Sequence, residues 1–204
     1  MNTKLAEKIT IESIEKALAA KKYPALKIGV NFLNLIGVRA ATGVTDTFDD
    51  VLAVAYRDSA DKWVLEKFSI TTDPGKHYLT EFANPKGTGI LVPGHYERSH
   101  KVGLHKGEYK ALVQHTPLKV YRDNDKDQVY DMDPTKIESG MFGVNIHRSN
   151  PARESVVVDK WSAACQVFSN PQQFDRFINT LVPNHVAIYT DVFDYTLLEE
   201  KDLA

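Results

Sequence analysis

Three runs of β-branched and alternating residues, Val30 to Ala40, Val51 to Tyr56 and Trp63 to Ile70, follow one another with only turn-rich segments between them. The turns fall at Thr42 to Asp50 and Asp58 to Lys62. A period of two over such short runs belongs to strands, so this part of the chain must build a sheet with a buried face. Further strand patterns occur at Gly89 to Val92, Tyr109 to Gln114, Leu118 to Arg122, Gly143 to Ile146 and Val186 to Leu197. Between the two groups, Thr71-Thr72-Asp73-Pro74-Gly75 is a turn by composition, and an irregular stretch follows to Gly89.

Helical periodicity is confined to two places. Residues 10 to 22 carry Thr10 as a cap, Glu12 in the first turn and Ile11, Ile14 and Leu18 on one face, with Pro24 ending the pattern. From Pro171 to Leu181, Asn170 caps, Pro171 takes the first helical position, and Phe174, Phe177, Ile178 and Leu181 form the apolar stripe. The expected fold is therefore α+β and β-rich, with a mixed or antiparallel sheet: residues 1–24 as an N-terminal helical segment and 25–204 as a single domain. A chain of 204 residues can bury one substantial core.

Composition removes several function classes. A formal charge of −2 offers no basic surface for nucleic acid, so none is expected as a partner. No run of about 18 apolar residues reads as a membrane span. The opening Met1-Asn2-Thr3-Lys4-Leu5-Ala6-Glu7-Lys8 carries charge where a signal peptide needs its apolar region. The expectation is a protein made soluble in the cytoplasm without a signal peptide. Oligomeric state is left open.

A single cysteine rules out an internal disulfide and a thiolate-rich zinc site. Cys165 is then either buried filler or a nucleophile that needs a histidine beside it. The segment Gly143-Val144-Asn145-Ile146-His147-Arg148 ends an apolar run on a histidine, and Trp161-Ser162-Ala163-Ala164-Cys165-Gln166-Val167-Phe168 follows after a polar loop. His147 precedes Cys165 by 18 residues, enough for a strand, a loop and a return. An imidazole within reach of a thiol can take its proton for acyl transfer. Taken alone, the same pair also fits a hydrogen-bonded histidine near a buried thiol. The order of the two residues is the reverse of the papain-like arrangement.

Other signals are weaker. His95, His100, His105 and His115 lack a His-Glu-x-x-His helix, and neither metal nor cofactor is expected. Asp123-Asn124-Asp125-Lys126-Asp127 begins like a calcium loop, but Gln128 and Pro134 stand where the turn glycine and the bidentate glutamate belong, so an acidic turn is expected. Trp161, Phe168 and Phe174 are expected as core anchors around the cysteine. His105, Tyr109, Arg148 and Gln166 are candidates for lining a cleft, with ordinary strand or loop positions as the alternative.

Ile146-His147, the loop, and Ser162-Ala163-Ala164-Cys165 together resemble the histidine, loop and Ser-x-Gly-Cys signature of L,D-transpeptidase catalytic domains. Thr71-Thr72-Asp73-Pro74-Gly75, Val92-Pro93-Gly94-His95-Tyr96 and Gly103-Leu104-His105-Lys106-Gly107 resemble segments of bacterial and phage proteins that share this signature, extending the likeness over roughly residues 30 to 180. The resemblance implies a β-sandwich catalytic domain in which Cys165 is the nucleophile and His147 the base. Ser162 and Ala164 would support the oxyanion. The implied partner is a peptidoglycan stem peptide, whose acyl group goes to water in hydrolysis or to an amine in cross-linking. Hydrolysis is the expected outcome, as in a phage-associated lysin, with the wall reached after lysis, particle delivery or unconventional export. A catalytically silent wall-binding or virion structural protein is the alternative. The chain departs from the family pattern at Ala164, usually glycine, at Val167, often arginine or asparagine, and at Ala163, often histidine.

Overall fold

The computed structural model describes residues 1–204. Two helices open the chain, α1 (Thr3–Lys8) and α2 (Ile11–Lys21). Thr10 and Ser13 close a reciprocal capping box, with Ser13 N–H donating to Thr10 Oγ1 at 3.0 Å and Thr10 N–H to Ser13 Oγ at 2.9 Å. Lys22, at φ 58, ends α2 in the left-handed region two residues before Pro24.

Eight strands close into a barrel. They are β1 (Asn34–Arg39), β2 (Asp50–Arg57), β3 (Trp63–Thr71), β5 (Gly94–His105), β6 (Tyr109–Gln114), β9 (Ile146–Arg148), β10 (Gln166–Phe168) and β11 (Val192–Glu199). Their order is β1-β11-β5-β6-β9-β10-β3-β2, and β1 pairs with β2 to complete the ring. The β1–β11 and β9–β10 pairs are parallel; the others are antiparallel. A second, three-stranded sheet joins β4 (Thr88–Leu91), β7 (Leu118–Asp123) and β8 (Ile137–Gly140). A short helix, α3 (Lys76–Thr80), lies between β3 and β4. The β-rich α+β expectation holds. The expected sandwich is instead a closed barrel, because β11 and β2 flank β1 on its two sides and leave it no open edge.

Alternation along the strands divides the core. Leu35, Leu52, Val54, Phe68, Ile70 and Leu197 point inward to the larger cluster, whereas Ile36, Val38, Val51, Ala53 and Leu198 point outward. The outward set packs against Leu5, Ile9, Ile14 and Leu18 of α1 and α2. Burial on both faces explains why β1 and β2 read as nearly continuous apolar runs. Full burial of each such leucine or isoleucine contributes about 1.5 to 3 kcal/mol. No helix is long and apolar enough to cross a membrane.

The second expected helix forms as α4 (Pro171–Arg176), a π-helical turn (Phe177–Leu181) and α5 (Val182–Val186). Asn170 accepts from the N–H groups of Gln172 and Gln173 as its cap. Phe174, Phe177, Ile178 and Leu181 join the inward cluster, so this helix packs onto the barrel interior. It runs past Leu181 because the π turn precedes Pro183, whose missing N–H would break an unadjusted helix. Consequently the strand expected from Val186 begins only at Val192.

One further expectation shifts. The strand read at Gly143 to Ile146 is observed at Ile146–Arg148. Gly143 has φ 72, and the N–H groups of Phe142 and Val144 donate to Gln114 Oε1 at 2.9 and 3.0 Å, so a side chain takes the place of the ladder there. Inside the barrel, Tyr195 Oη donates to Gln166 Oε1 at 2.7 Å. Gly37 makes room for that hydroxyl, since a Cβ there would lie 1.9 Å from it.

Candidate active site

The β9–β10 ladder positions the two residues of chief interest. His147 pairs with Val167, and Gln166 N–H donates to Asn145 O at 2.8 Å. Continuing the register one step back sets Cys165 opposite Asn145. Alternation then puts Cys165, Val167, Asn145 and His147 on one face, away from the interior where Ile146 and Phe168 pack. Cys165 also packs against the small cluster of Phe48, Val158 and Val167 that covers this outer face.

The thiol is held by backbone. Cys165 Sγ accepts from Asn145 N–H at 3.4 Å and donates to Gly143 O at 3.4 Å. Cys165 is half-buried, and burial pushes its pKa up to about 11, opposed by the Asn145 N–H and the charge of Lys106. No hydrogen bond links Sγ to an imidazole nitrogen.

His147 is buried, and burial depresses its pKa to about 3, with His105 and Lys106 adding to the effect. Its Nδ1 lies 2.7 Å from the Arg148 carbonyl oxygen and 3.2 Å from Tyr109 Oη. Its Nε2 is buried with no hydrogen-bond partner. The His105 ring stacks on it with centroids 3.9 Å apart, and His105 Nδ1 lies 3.1 Å from Asn145 Nδ2. Thus the residue that supplies the thiol's N–H donor also fixes the neighbour of the imidazole.

Support comes from behind the cysteine. Ser162 Oγ donates to Cys165 O at 2.9 Å and accepts from Ala164 N–H at 3.3 Å. Ala164 N–H is therefore already engaged, which an oxyanion role would have to exchange. Ala164 has φ 155, a region that favours glycine. The Thr71 to Gly75 turn packs directly on this segment: Gly75 N–H donates to Ser162 O at 2.8 Å, and a Cβ on Gly75 would meet Asp159 O at 1.9 Å. Buried Arg39 anchors the same turn through Thr72 O at 3.3 Å and the Asp73 carboxylate at 2.9 Å.

Cavities lie at His147 and at Ala164. One of about 250 Å³ is lined by His105, Lys106, Tyr109, His147, Arg148 and Trp161. It adjoins an open groove of about 400 Å³ that shares Tyr109 and Arg148, where the Arg148 guanidinium lies 4.0 Å over the Tyr109 ring. A third, of about 230 Å³, is lined by Ala163 and Ala164 together with Gly87, Gly89, Arg122 and Phe142.

The structure thus groups His105, Tyr109 and Arg148 with His147, while Gln166 faces the barrel interior, fully buried. Gln166 is not a cleft residue; its Nε2 donates to Ala164 O at 3.3 Å. Phe168 and Phe174 are core residues as expected, but Trp161 is 39% exposed and forms cavity rim instead of core. The Asp123 to Asp127 segment is a turn in which Asp125 and Asp127 accept from the N–H groups of Asp127 and Val129. No three His, Cys, Asp or Glu side chains are grouped so as to hold a metal ion. Sequence reasoning missed Asn145, Lys106 and Arg122. Asn145 was legible in part, as the strand residue two before the histidine; Arg122 carried no local signal. Comparisons with models of protein families, with curated proteins and with solved structures found no match for this chain.

Proposed function

We propose that this chain is a cysteine-dependent acyl-transfer enzyme of L,D-transpeptidase type acting on peptidoglycan stem peptides. The observation that carries the reading is the parallel β9–β10 register, which sets Cys165, one residue before β10, on the same outer face as His147, with cavities at His147 and at Ala164. His147 Nε2, free of other partners, takes the proton from Cys165 Sγ. The thiolate attacks the scissile carbonyl carbon, the C–N bond breaks, and the imidazolium returns the proton to the departing amine. A thioester on Cys165 remains. Water, deprotonated by the same imidazole, then releases the acid and restores the thiol. Water is the acceptor in this reading because the His147 side of the site is polar and opens into the neighbouring groove. Lys106 lowers the cost of the thiolate, whose charge it faces.

The test incubates tetrapeptide muropeptides with the protein and reads products by mass spectrometry, with and without excess amine acceptor. Tripeptide acid, absent with Cys165→Ala, is expected to dominate. Dominant cross-link formation would replace hydrolysis with transpeptidation. A carbapenem adduct on Cys165 is expected as well.

A second reading, a catalytically silent wall-binding or virion structural protein, rests on Ala164 at positive φ and on the absence of a hydrogen bond between Sγ and an imidazole nitrogen. A folded wild-type protein that neither turns over muropeptides nor forms the adduct would select it.

A further inference from the structure

His105 reaches the candidate site from a different strand than His147 or Cys165. It is the last residue of β5 and is buried. Its ring lies 20° from parallel to the His147 ring, with centroids 3.9 Å apart. At this distance each ring feels the other's charge: a neutral face favours an imidazolium on His147, whereas a second cation opposes it. The form that His105 takes therefore bears on how readily His147 holds a proton.

A chain of fixed donors decides that form. The backbone N–H of Gln114 can only donate, and it donates to Asn145 Oδ1 at 2.9 Å. This turns the Asn145 amide so that Nδ2 faces His105 Nδ1 at 3.1 Å. An amide nitrogen can only donate as well, so His105 Nδ1 accepts and the proton of the neutral ring sits on Nε2. Protonating Nδ1 would set two donors against each other across the same 3.1 Å. A flipped amide would meet the same conflict with Gln114 N–H. Gln114 itself cannot yield, because its Nε2 donates to Thr116 O and Gly140 O at 2.9 and 2.8 Å while its Oε1 accepts from Phe142 and Val144.

The surrounding charges act in the same direction. Burial lowers the pKa of His105, Lys106 and Arg148 lower it further, and Glu108 opposes them. Lys160 lines the same cavity. The neighbouring Tyr109 and His147 rings bring no charge at neutral pH, since burial raises the first to about 12 and lowers the second to about 3.

We propose that Asn145 is a positioning residue that keeps His105 neutral, with its proton on Nε2, so that an uncharged ring stacks on His147 while His147 holds the proton taken from Cys165. The catalytic consequence rests on the acyl-transfer reading; the tautomer of His105 does not. Asn145 also touches the thiol through its backbone N–H, which a side-chain substitution leaves in place.

The test follows the histidine ring nitrogens of 15N-labelled protein by NMR from about pH 8 to about 4, across the ordinary histidine midpoint of about 6.5. Wild type is expected to show His105 neutral, with Nδ1 bare, to well below that midpoint. In Asn145→Asp, Gln114 N–H keeps an acceptor, but His105 Nδ1 now faces one too and gains a proton. The His105 midpoint should rise by about one unit or more. With muropeptide as substrate, the acid limb of kcat/KM should move toward neutral pH by the same amount. His105→Phe keeps a flat face against His147 but takes no proton, so in that background Asn145→Asp should leave the limb unmoved. Thermal melting establishes that each variant is folded. A proton on His105 Nδ1 in wild type at neutral pH, equal His105 midpoints in the two folded proteins, or a limb that moves equally without His105 overturns the proposal. The expected tautomer and midpoint shift without turnover by wild type would leave the Asn145 lock standing and remove the acyl-transfer reading.

Discussion

The Nδ1 of His147 donates to the carbonyl oxygen of Arg148 across 2.7 Å, which fixes the proton on Nδ1 and leaves Nε2 as the basic nitrogen. The thiol it would serve is raised to about 11 while the imidazole is lowered to about 3, so at neutral pH both groups are uncharged. A preformed thiolate–imidazolium pair is thus disfavoured in the free protein, and the proposed mechanism requires the proton to move on substrate binding. Alkylation of Cys165 by iodoacetamide should therefore rise about tenfold per pH unit from pH 7 to beyond pH 9. A plateau already reached at pH 6 to 7 would mean that the ion pair exists in the free protein.

Ala164 sits at φ 155, where a Cβ is strained by about 1 to 3 kcal/mol. Ala164→Gly should remove most of that strain, less the extra chain entropy of glycine. The expected net gain is about 1 kcal/mol, or about 2 to 4 °C in the unfolding midpoint for a chain of this size. Calorimetry of the two proteins decides the matter, and a lower midpoint for the glycine variant would show that the alanine is not strained.

Much of the barrel was legible in the sequence because β1 and β2, buried on both faces, read as nearly continuous β-branched and apolar runs bounded by turn residues. The run Tyr109 to Gln114 corresponds to β6, and Thr10 and Asn170 cap the helices as read. What escaped was set by long-range partners. The 12-residue β5 contains Gly94, Arg98, Lys101 and Gly103 and carries no strand pattern; it is held by β11 on one side and β6 on the other. The three-residue β10 is too short to have a period. At the candidate site, the spacing of His147 and Cys165 anticipated a strand, a loop and a return, and the β9–β10 pairing has that form. The inward turn of Gln166 was not legible, because it depends on Tyr195 reaching across the barrel over Gly37.

That Tyr195 contact is itself testable. Tyr195→Phe leaves Gln166 Oε1 buried without a donor, a loss of about 1 to 3 kcal/mol. Because Gln166 Nε2 holds the Ala164 carbonyl, the variant should also slow Cys165 alkylation after its stability has been accounted for. Denaturant unfolding and alkylation rates measured on the same samples check both effects; unchanged stability would mean that the hydrogen bond contributes nothing.

His100 ties acid sensitivity to the same region. Fully buried, it accepts from Ser99 Oγ at Nδ1 across 2.9 Å and donates from Nε2 to Val144 O at 3.1 Å, between the two residues whose backbone holds the Cys165 thiol. Burial lowers its pKa from 6.5 to about 4. The unfolded chain therefore binds the proton first as pH falls, and the stability His100 contributes is present above pH 6.5 and lost between 6.5 and about 4. Buried Asp50, raised to about 8, acts in the opposite direction, its contribution growing as pH falls from 8 toward 4. The net slope of wild type therefore mixes both signs, and the difference between wild type and His100→Gln isolates the histidine. Glutamine retains an amide donor for Val144 O but does not titrate, so the stability advantage of wild type should shrink by about 1.4 kcal/mol per pH unit between 6.5 and 4. Chemical denaturation at half-unit pH steps measures it, and a difference that stays constant across the window would mean that His100 is not neutral in the folded protein.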